Sequence, residues 1–591
     1  MKMYDLRQDV PAKGDPDAAG LVLPPPLSCP GLTSGSQEIQ RLAKDLPKRI
    51  SVYSYKKRMP YFWVVFVGGT GTGKSSLFNA FCEGPLSDTG VERPKTFGPI
   101  VYAHKDCPLE EGFPFPSVKM ERQPWHHADA IPAPGTPGHI FITEHNREDR
   151  FHLIVVDTPD LDSVEPANRQ IAEDLYLLSD AVVFVSSQEK YADQVPYQFF
   201  LQIVREKKPY FFLLNKAQSR SAEEEVSEAL KGQEIALNRD RLWLIPYAPS
   251  HTHDVISEDS AFQDFKRTLL QDLSTGEREG FRYGQLSERA EDISRRLSHL
   301  LDLLGKEYQA GQKWLDQLEG LYEETCRNLI KEQQTRFMAE SRRHLQREIR
   351  KLFSKYDVLA KPRRMIRETL LSAFSFLGLG KERRRKTHKD ALQAVRQKID
   401  LTPVQAAIDK LNRTVLERLS PADETSALFG KLRDPGVVLN EEEIRKRIWE
   451  EQDGLDLWLE QTFQRLSKGI PAHKKLGIYS TSILWGILIL SLEIVVGGGF
   501  TVVDAVLDSA LAPFVTKGAV ELFAYSEIQK VARKLANRYQ QGLLSVVDDQ
   551  RNRYRQCLES VMTTEKTMAS LEACLKSVGR DLLAFSPSEN W

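Results

Sequence analysis

The chain has 591 residues, enough for about two to four domains of ordinary size. Its hydrophobic content of 41% and charged content of 28% are typical of a globular protein and exclude a fibrous or wholly disordered chain. A net charge of −1 gives the whole chain no bias toward nucleic acid or membranes. The cysteines are scattered without a C-x-x-C pair, which argues against a disulfide scaffold or zinc site and indicates a reducing cytoplasm.

The first segment of the chain, residues 1–45, begins with a polar stretch rich in Pro and Gly that extends to about Ser36. This stretch has no long apolar core, so no signal peptide is expected in it. Its composition cannot bury enough apolar surface to fold, and we therefore predict a disordered lead-in over residues 1–45.

A glycine-rich run over residues 68–75 is the most informative motif. It reads Gly-Gly-Thr-Gly-Thr-Gly-Lys-Ser and matches the phosphate-binding P-loop pattern G-x-x-x-x-G-K-[ST] at every fixed position. The apolar run Phe62–Val67 precedes it and a helix-like run follows, which is the context that phosphate binding requires. We expect Lys74 to reach the β- and γ-phosphates and Ser75 to put its hydroxyl on Mg²⁺. The residues predicted to contact nucleotide here are Gly69, Thr70, Gly71, Thr72, Gly73, Lys74, Ser75 and Ser76.

Short apolar runs alternate with polar, helix-compatible stretches from about Tyr61 to Pro249. This alternation predicts an α/β domain with a mostly parallel sheet and helices on both faces. The Pro- and His-rich stretch over residues 107–137 is interpreted as an insertion after the first helix. The runs predicted to be strands are Phe62–Val67, Phe151–Val156, Ala181–Val185, Tyr210–Leu214 and Leu242–Ile245.

A nucleotide-hydrolysing site also needs a carboxylate at the end of a second strand, which holds Mg²⁺, usually through water. The apolar run ending in Asp157 supplies it, and the following Thr158-Pro159 turns over the phosphates. Between the two motifs, Thr96 is a candidate to complete the Mg²⁺ shell when a γ-phosphate is present, and an exposed loop threonine is the alternative. The predicted metal ligands are Ser75, Thr96 and Asp157, and the candidate catalytic residues are Lys74 and Thr96.

The order P-loop, R-P-x-T, D-T-P and then N-K after a strand resembles that of the translation-factor-related GTPases, most of all their bacterial dynamin-like and Era-like branches. The motifs cover about residues 61–249, and the remainder resembles dynamin-like proteins in helical architecture alone. The resemblance implies GTP and Mg²⁺ as cofactors. It also implies that Asn215 and Lys216 pack against the guanine and the P-loop. Gln218 stands where the family carries an aspartate that accepts from the base.

The sequence departs from this family around the nucleotide. Asp160 replaces the glycine of D-x-x-G, and because phosphates would repel its carboxylate we expect it to face outward. Gln218 is a weaker, neutral acceptor, so guanine is preferred by a smaller margin, with ATP or relaxed specificity as the alternative. Leu161 stands where Ras-like enzymes carry a glutamine. No residue is seen to activate water, so intrinsic hydrolysis should be slow, and related families use dimerisation across the nucleotide or a metal ion.

From about Glu279 onward, apolar residues fall at helical spacing between charged ones. This pattern predicts long amphipathic helices packed as a bundle or stalk, with further such regions at about residues 441–466 and 519–583. We therefore predict a lead-in over residues 1–45, a P-loop GTPase domain over residues 46–275 and a helical domain over residues 276–591.

Two apolar segments interrupt the helical half: residues 370–380, flanked by basic clusters that end in Arg383–Lys386, and residues 477–503. The second is long enough to span a bilayer, but Glu493 and Gly497–Gly499 argue against a simple transmembrane helix. A buried helical hairpin and a membrane paddle like that of dynamin-like proteins are the alternatives. Basic residues around an apolar run suit an anionic lipid surface. A solvated loop or an RNA-facing patch would carry the same charges, although no nucleic-acid module signature is found.

Together these patterns predict a GTP-binding protein and slow GTPase whose helical domain couples nucleotide state to membrane association or remodelling. The predicted location is the cytoplasm, peripheral to or inserted at the inner face of the cell membrane. Guanine nucleotide, an anionic membrane and a second copy of the chain across the GTPase domain are the predicted partners. The alternative is a soluble regulatory GTPase or a nucleotide-binding scaffold that acts on a protein or RNA partner.

Overall fold

The protein divides into two compact units that are each discontinuous in sequence. The first, called the sheet unit, includes Glu38–Asp302 and Thr564–Trp591, and the second, called the helical unit, includes Ser28–Gln37 and Leu303–Thr563. The division at Asp302 falls inside a long helix, whereas the sequence prediction set it at residue 275. The computed structural model describes residues 27–88, 98–124, 138–161, 165–187, 194–217, 239–247, 253–273, 278–355, 402–468 and 522–585.

A single eight-stranded sheet forms the centre of the sheet unit. Its strands in chain order are β1 Phe62–Gly68, β2 Ile100–His104, β3 Lys119–Pro124, β4 His139–His145, β5 Leu153–Asp157, β6 Ala181–Ser187, β7 Tyr210–Ala217 and β8 Leu242–Pro246. Their spatial order is β3-β4-β2-β5-β1-β6-β7-β8. The pair β2 and β5 is antiparallel and the other neighbouring pairs are parallel.

The α-helices of the described residues surround this sheet and build the helical unit. They are α1 Ser36–Arg58, α2 Lys74–Cys82, α3 Pro166–Leu178, α4 Gln194–Arg205, α5 His253–Glu258, α6 Ser260–Asp272, α7 Arg278–Lys355, α8 Thr402–Arg418, α9 Ala427–Leu432, α10 Glu441–Lys468, α11 Leu522–Glu559 and α12 Glu565–Phe585. A mostly parallel sheet with helices, followed by a long helical region, confirms the predicted fold class.

The central strand β1 is apolar along its whole length because it is buried on both faces. Trp63, Val65 and Val67 pack into one core with side chains of α1, α3 and α4. The alternate residues, Phe62, Val64 and Phe66, pack into a second core with side chains of α2 and α6. Side chains of a strand alternate between its two faces, so one continuous apolar run supplies both cores.

The five predicted strands are all present, as β1, β5, β6, β7 and β8, but the sequence analysis missed β2, β3 and β4. The stretch over residues 107–137, interpreted as an insertion, contains β3, which joins the edge of the sheet beside β4. In β4 only alternate positions such as Ile140 and Ile142 are deeply buried. β3 and β4 therefore lack the continuous apolar run by which the central strands were recognised. β2 is buried along its whole length, and its short apolar run Ile100–Ala103 was not recognised as a strand.

The prediction of disorder up to residue 45 was wrong from Ser36 onward, where α1 begins. The apolar residues Ile39, Leu42, Leu46 and Ile50 recur at helical spacing and are buried. They give α1 one apolar face, and burial of that face stabilises the helix.

The helical unit has its own hydrophobic core, built from α7, α8, α10 and α11. Trp314 and Leu318 of α7, Ile408 of α8, Ile444 of α10 and Leu535 of α11 belong to it. The predicted long amphipathic helices are therefore present. Within the ranges that the structure describes, no helix combines the length and the apolar character that crossing a bilayer demands. The apolar segments 370–380 and 477–503 lie outside those ranges.

A buried carboxylate, Glu307 of α7, holds the first segment of the helical unit. Its two oxygens accept from the N–H groups of Gly31 at 3.1 Å, Leu32 at 3.1 Å and Thr33 at 2.6 Å. The hydroxyl of Thr33 also donates to it, at 2.5 Å. Donors that are buried must find acceptors, so this carboxylate orders the turn before α1.

We predict that Glu307→Gln loosens this turn, because an amide has one acceptor oxygen where the carboxylate has two. The loss should be about 1–3 kcal/mol of stability, and the amides of residues 31–33 should exchange hydrogen faster. Hydrogen–deuterium exchange with mass spectrometry measures this. Glu323→Gln, at an exposed position of the same helix, is the control and should leave exchange unchanged. Equal protection of residues 31–33 in both variants would contradict the assignment.

Candidate functional site

The P-loop, residues 68–75, connects β1 to α2 at the carboxyl edge of the parallel strands. Gly71 and Gly73 have φ angles of 76° and 89°, in the left-handed region that glycine adopts without strain. The N–H and the hydroxyl of Thr72 both donate to the carbonyl of Gly69, at 3.4 and 3.0 Å. The loop is therefore closed by its own hydrogen bonds before α2 begins.

Lys74 is the first residue of α2, and its side chain is only 3% exposed. Its Nζ donates to Oδ1 of Asp157 at 3.0 Å and to the carbonyl of Thr158, and it lies 3.7 Å from Oδ1 of Asp160. Burial would lower the pKa of Lys74, but the carboxylates of Asp157 and Asp160 outweigh burial and raise that pKa. The amine is therefore a cation at neutral pH, as phosphate binding requires.

Asp157 ends β5 and is fully buried. Its Oδ2 accepts from the hydroxyls of Ser75 at 2.7 Å and Ser87 at 2.8 Å. Strand β5 lies parallel to β1 with Asp157 opposite Phe66, so the two motifs meet at one edge of the sheet. The adjacent oxygens of Ser75 and Asp157 fit a hard cation such as Mg²⁺, which prefers oxygen ligands and keeps several waters.

Ser87 is a residue of this cluster that the sequence analysis missed. Asn79 of α2 accepts from the N–H groups of Leu86 at 3.0 Å and Ser87 at 2.8 Å, and donates to the Ser87 carbonyl at 2.7 Å. These bonds hold the Ser87 hydroxyl against Asp157. The sequence feature that could have indicated this contact is Asn79, a polar residue within the apolar run Leu77–Phe81. A buried amide has to be hydrogen-bonded, so Asn79 predicts a partner segment nearby.

Asp160 does not face outward, so that expectation was wrong. Its carboxylate lies 3.7 Å from the amine of Lys74, and its side chain is 23% exposed. The turn that carries it is tied to β1, since the N–H of Leu161 donates to the carbonyl of Gly68 at 3.2 Å. The expectation considered repulsion by phosphates and not the attraction of the P-loop lysine for a nearby carboxylate.

The end of β7 contacts the P-loop through two side chains. Nδ2 of Asn215 donates to the carbonyl of Thr72 at 2.9 Å, and Nζ of Lys216 donates to the carbonyl of Gly71 at 2.9 Å. A Cβ atom on Gly73 would lie 2.2 Å from Nδ2 of Asn215. Glycine is therefore required here by close approach as well as by its backbone conformation.

The structure brings together five of the predicted site residues at the P-loop: Lys74, Ser75, Asp157, Asn215 and Lys216. Gly69, Thr70, Gly71, Thr72 and Gly73 form the loop, and Ser76 is half-buried in the first turn of α2. Thr96 and Gln218 lie outside the described residues.

No protein-family model matches this chain, whereas similar chains are found among curated proteins and among solved structures. Over 203 residues, 32% of its length, the chain is 26% identical to an uncharacterised protein encoded in the xynA 3′ region of Caldicellulosiruptor sp. (strain Rt8B.4). The match spans 46% of that relative, less than half its length.

Two similar solved structures are both described as an oligomerised bacterial dynamin pair with a mechanism for long-range sensing and tethering of membranes. One is 13% identical with a TM-score of 0.42 and covers 93% of this chain and 96% of its own. The other is 12% identical with a TM-score of 0.36 and covers 94% of each chain. At these identities and TM-scores neither likeness decides function.

We predict that Gly73→Ala destabilises the sheet unit more than Gly138→Ala does. Both glycines have positive φ, 89° and 79°, which costs a non-glycine residue about 1–2 kcal/mol. A Cβ on Gly138 meets nothing within 4 Å, whereas one on Gly73 overlaps Asn215, which should add about 1–3 kcal/mol. Urea unfolding of both variants measures the difference. Equal losses would mean that Asn215 does not pack against the loop.

Proposed function

We propose that this protein binds GTP with Mg²⁺ and hydrolyses it slowly. The observation that carries the proposal is the convergence of Lys74, Ser75 and Asp157 with the Asn215–Lys216 pair on one glycine-rich loop. The N-terminus of α2 is then surrounded by the cation of Lys74, by the oxygen atoms of Ser75 and Asp157 that could bind a metal, and by the two side chains of β7. This combination supports binding of a nucleoside triphosphate.

In the proposed complex, backbone N–H groups of Gly69–Ser75 and the N-terminus of α2 bind the phosphates. Lys74 exchanges carboxylate partners for β- and γ-phosphate oxygens. Ser75 directly, Asp157 through water and Thr96 from its loop would hold Mg²⁺, which supplies neutralisation of the charge that develops on the phosphates. Each role is electrostatic and positional, so binding and catalysis depend on the same contacts.

Preference for guanine is proposed from Asn215 and Lys216, with Gln218 as a neutral acceptor for the base. The margin over ATP should be smaller than an aspartate at position 218 would provide. Slow intrinsic hydrolysis is proposed because Leu161 cannot orient a water molecule. A second copy of the chain across the nucleotide is the proposed source of faster hydrolysis.

The proposed role of the helical half, residues 276–591, is to couple nucleotide state to an anionic membrane from the cytoplasmic side. Its support is the sequence alone: the basic run Arg383–Lys386 beside the apolar segment 370–380, and the apolar segment 477–503. The alternative remains a soluble regulatory GTPase or scaffold with a protein or RNA partner.

We predict that Lys74→Ala weakens GTP binding by about 1.5–3 kcal/mol, roughly 10- to 150-fold in Kd, because a charge-assisted contact is lost. Titration calorimetry with GTP, and with ATP in parallel, measures this, and GTP should bind the wild type more tightly than ATP. Lys48→Ala removes a partly exposed lysine paired with Asp174 and is the control for binding.

Ser75→Ala is the companion variant because it leaves the Lys74–Asp157 ion pair intact. It should weaken GTP binding only when Mg²⁺ is present. Wild-type affinity and turnover in a Lys74→Ala protein with a native circular dichroism spectrum would overturn the phosphate-binding role, and equal GTP and ATP affinities would overturn the base preference.

We predict that replacing Arg383–Lys386 with glutamates weakens binding to anionic liposomes by several kcal/mol, at about 1 kcal/mol for each basic residue. Co-sedimentation with the liposomes measures this binding. Raised salt should have the same effect on the wild type because these attractions are screened. Replacing Phe374 and Phe376 with serine should weaken sedimentation independently of salt.

The control for the charge reversal is a protein in which four other basic residues, the exposed Arg41, Arg267, Arg295 and Arg327, are replaced with glutamate. This control should sediment like the wild type. If the wild type does not sediment with anionic liposomes, the soluble alternative replaces the membrane role.

A further inference from the structure

Lys74, the cation of the P-loop, faces two carboxylates of different character. Asp157 is fully buried and accepts from the hydroxyls of Ser75 and Ser87 as well as from Lys74. Its position is therefore fixed by three partners. Asp160 is partly exposed and approaches the same amine to 3.7 Å. Of the two carboxylates, Asp160 is the one whose side chain has room to move toward solvent.

Of the three N–H donors of the Lys74 amine, two are engaged by Asp157 and by the carbonyl of Thr158, and the carboxylate of Asp160 forms an ion pair with the same amine at 3.7 Å. Because two of the donors are already engaged, a γ-phosphate oxygen that binds this amine would compete with Asp160 for the remaining one. The backbone of Asp160 cannot simply withdraw, because the neighbouring Leu161 is hydrogen-bonded to Gly68 of β1. Phosphate and carboxylate are both anions, so they would compete for one cation at close range.

We propose that Asp160 is a specificity-determining residue that competes with the γ-phosphate for Lys74 and so shifts this protein's nucleotide preference from GTP toward GDP. The inference rests on the proposed function and deepens it, since it concerns the same site. GDP has no γ-phosphate and binds chiefly through the P-loop backbone and the β-phosphate. Asp160 therefore penalises GDP less than GTP.

The test is an equilibrium titration of the full chain with GDP and with GppNHp, a GTP analogue that is not hydrolysed, both with saturating Mg²⁺. Asp160→Asn keeps the shape of the side chain and removes its charge. It should tighten GppNHp about tenfold, or about 1.4 kcal/mol, and change GDP by less than about threefold. Asp160→Gly should act in the same direction.

The control is Asp149→Asn, which removes an exposed carboxylate of the sheet unit that pairs with Arg147. It should leave both affinities at wild-type values. A GppNHp-to-GDP affinity ratio that Asp160→Asn leaves unchanged overturns the inference but not the proposed function. Slower GTP hydrolysis at unchanged affinities also overturns it, because Asp160 would then act on the attacking water. If neither nucleotide binds any of the proteins, the proposed function fails and the inference with it.

Discussion

The ion pair between Lys74 and Asp157 is the contact on which the arrangement of the candidate site depends. Both side chains are buried, 3% and 0% exposed, and a buried charge without a partner is strongly unfavourable. Lys74 follows β1 and Asp157 ends β5, so the pair requires these strands to be neighbours in one register. A shift of one residue would turn Asp157 to the opposite face of the sheet. The Lys74–Asp157 ion pair therefore forms only when β1 and β5 are aligned in this register.

Around this pair, the P-loop is packed from several strands at once. The carbonyl of Val185 in β6 would lie 2.3 Å from a Cβ on Gly68, so β6 and the start of the loop approach as closely as a glycine allows. Asn215 of β7 holds the loop from another side. A loop fixed in this way keeps its N–H groups in one orientation, which would lower the entropic cost of the proposed phosphate binding. In the proposed nucleotide complex, Lys74 and Asp160 are the groups that would change partners.

Each compact unit depends on segments that are far apart in the sequence. In the helical unit, Glu307 orders residues 31–33. In the sheet unit, Asp581 of α12 accepts from the hydroxyl of Tyr53 and from the amine of Lys57, both at 2.8 Å. Deleting residues 31–33 or helix α12 would therefore remove contacts from a folded unit.

The sequence by itself determined the P-loop, the central strands and the amphipathic helices, because these features depend on local spacing. A fixed motif of neighbouring residues and a continuous apolar run can be recognised without knowing what packs against them. The sequence also indicated Asp157, because a carboxylate that directly follows a buried strand in a chain with a P-loop is a candidate to hold Mg²⁺.

Only the tertiary structure decided the features that depend on partners distant in the chain. Strands β3 and β4 exist because a neighbouring strand satisfies their backbone, and their side chains form no continuous apolar pattern. Ser87 reaches Asp157 because Asn79 holds it there. Asp160 lies beside Lys74 because the turn after β5 is tied to β1. The direction of a side chain is decided by the charges and donors that folding brings beside it, and linear spacing does not contain that information.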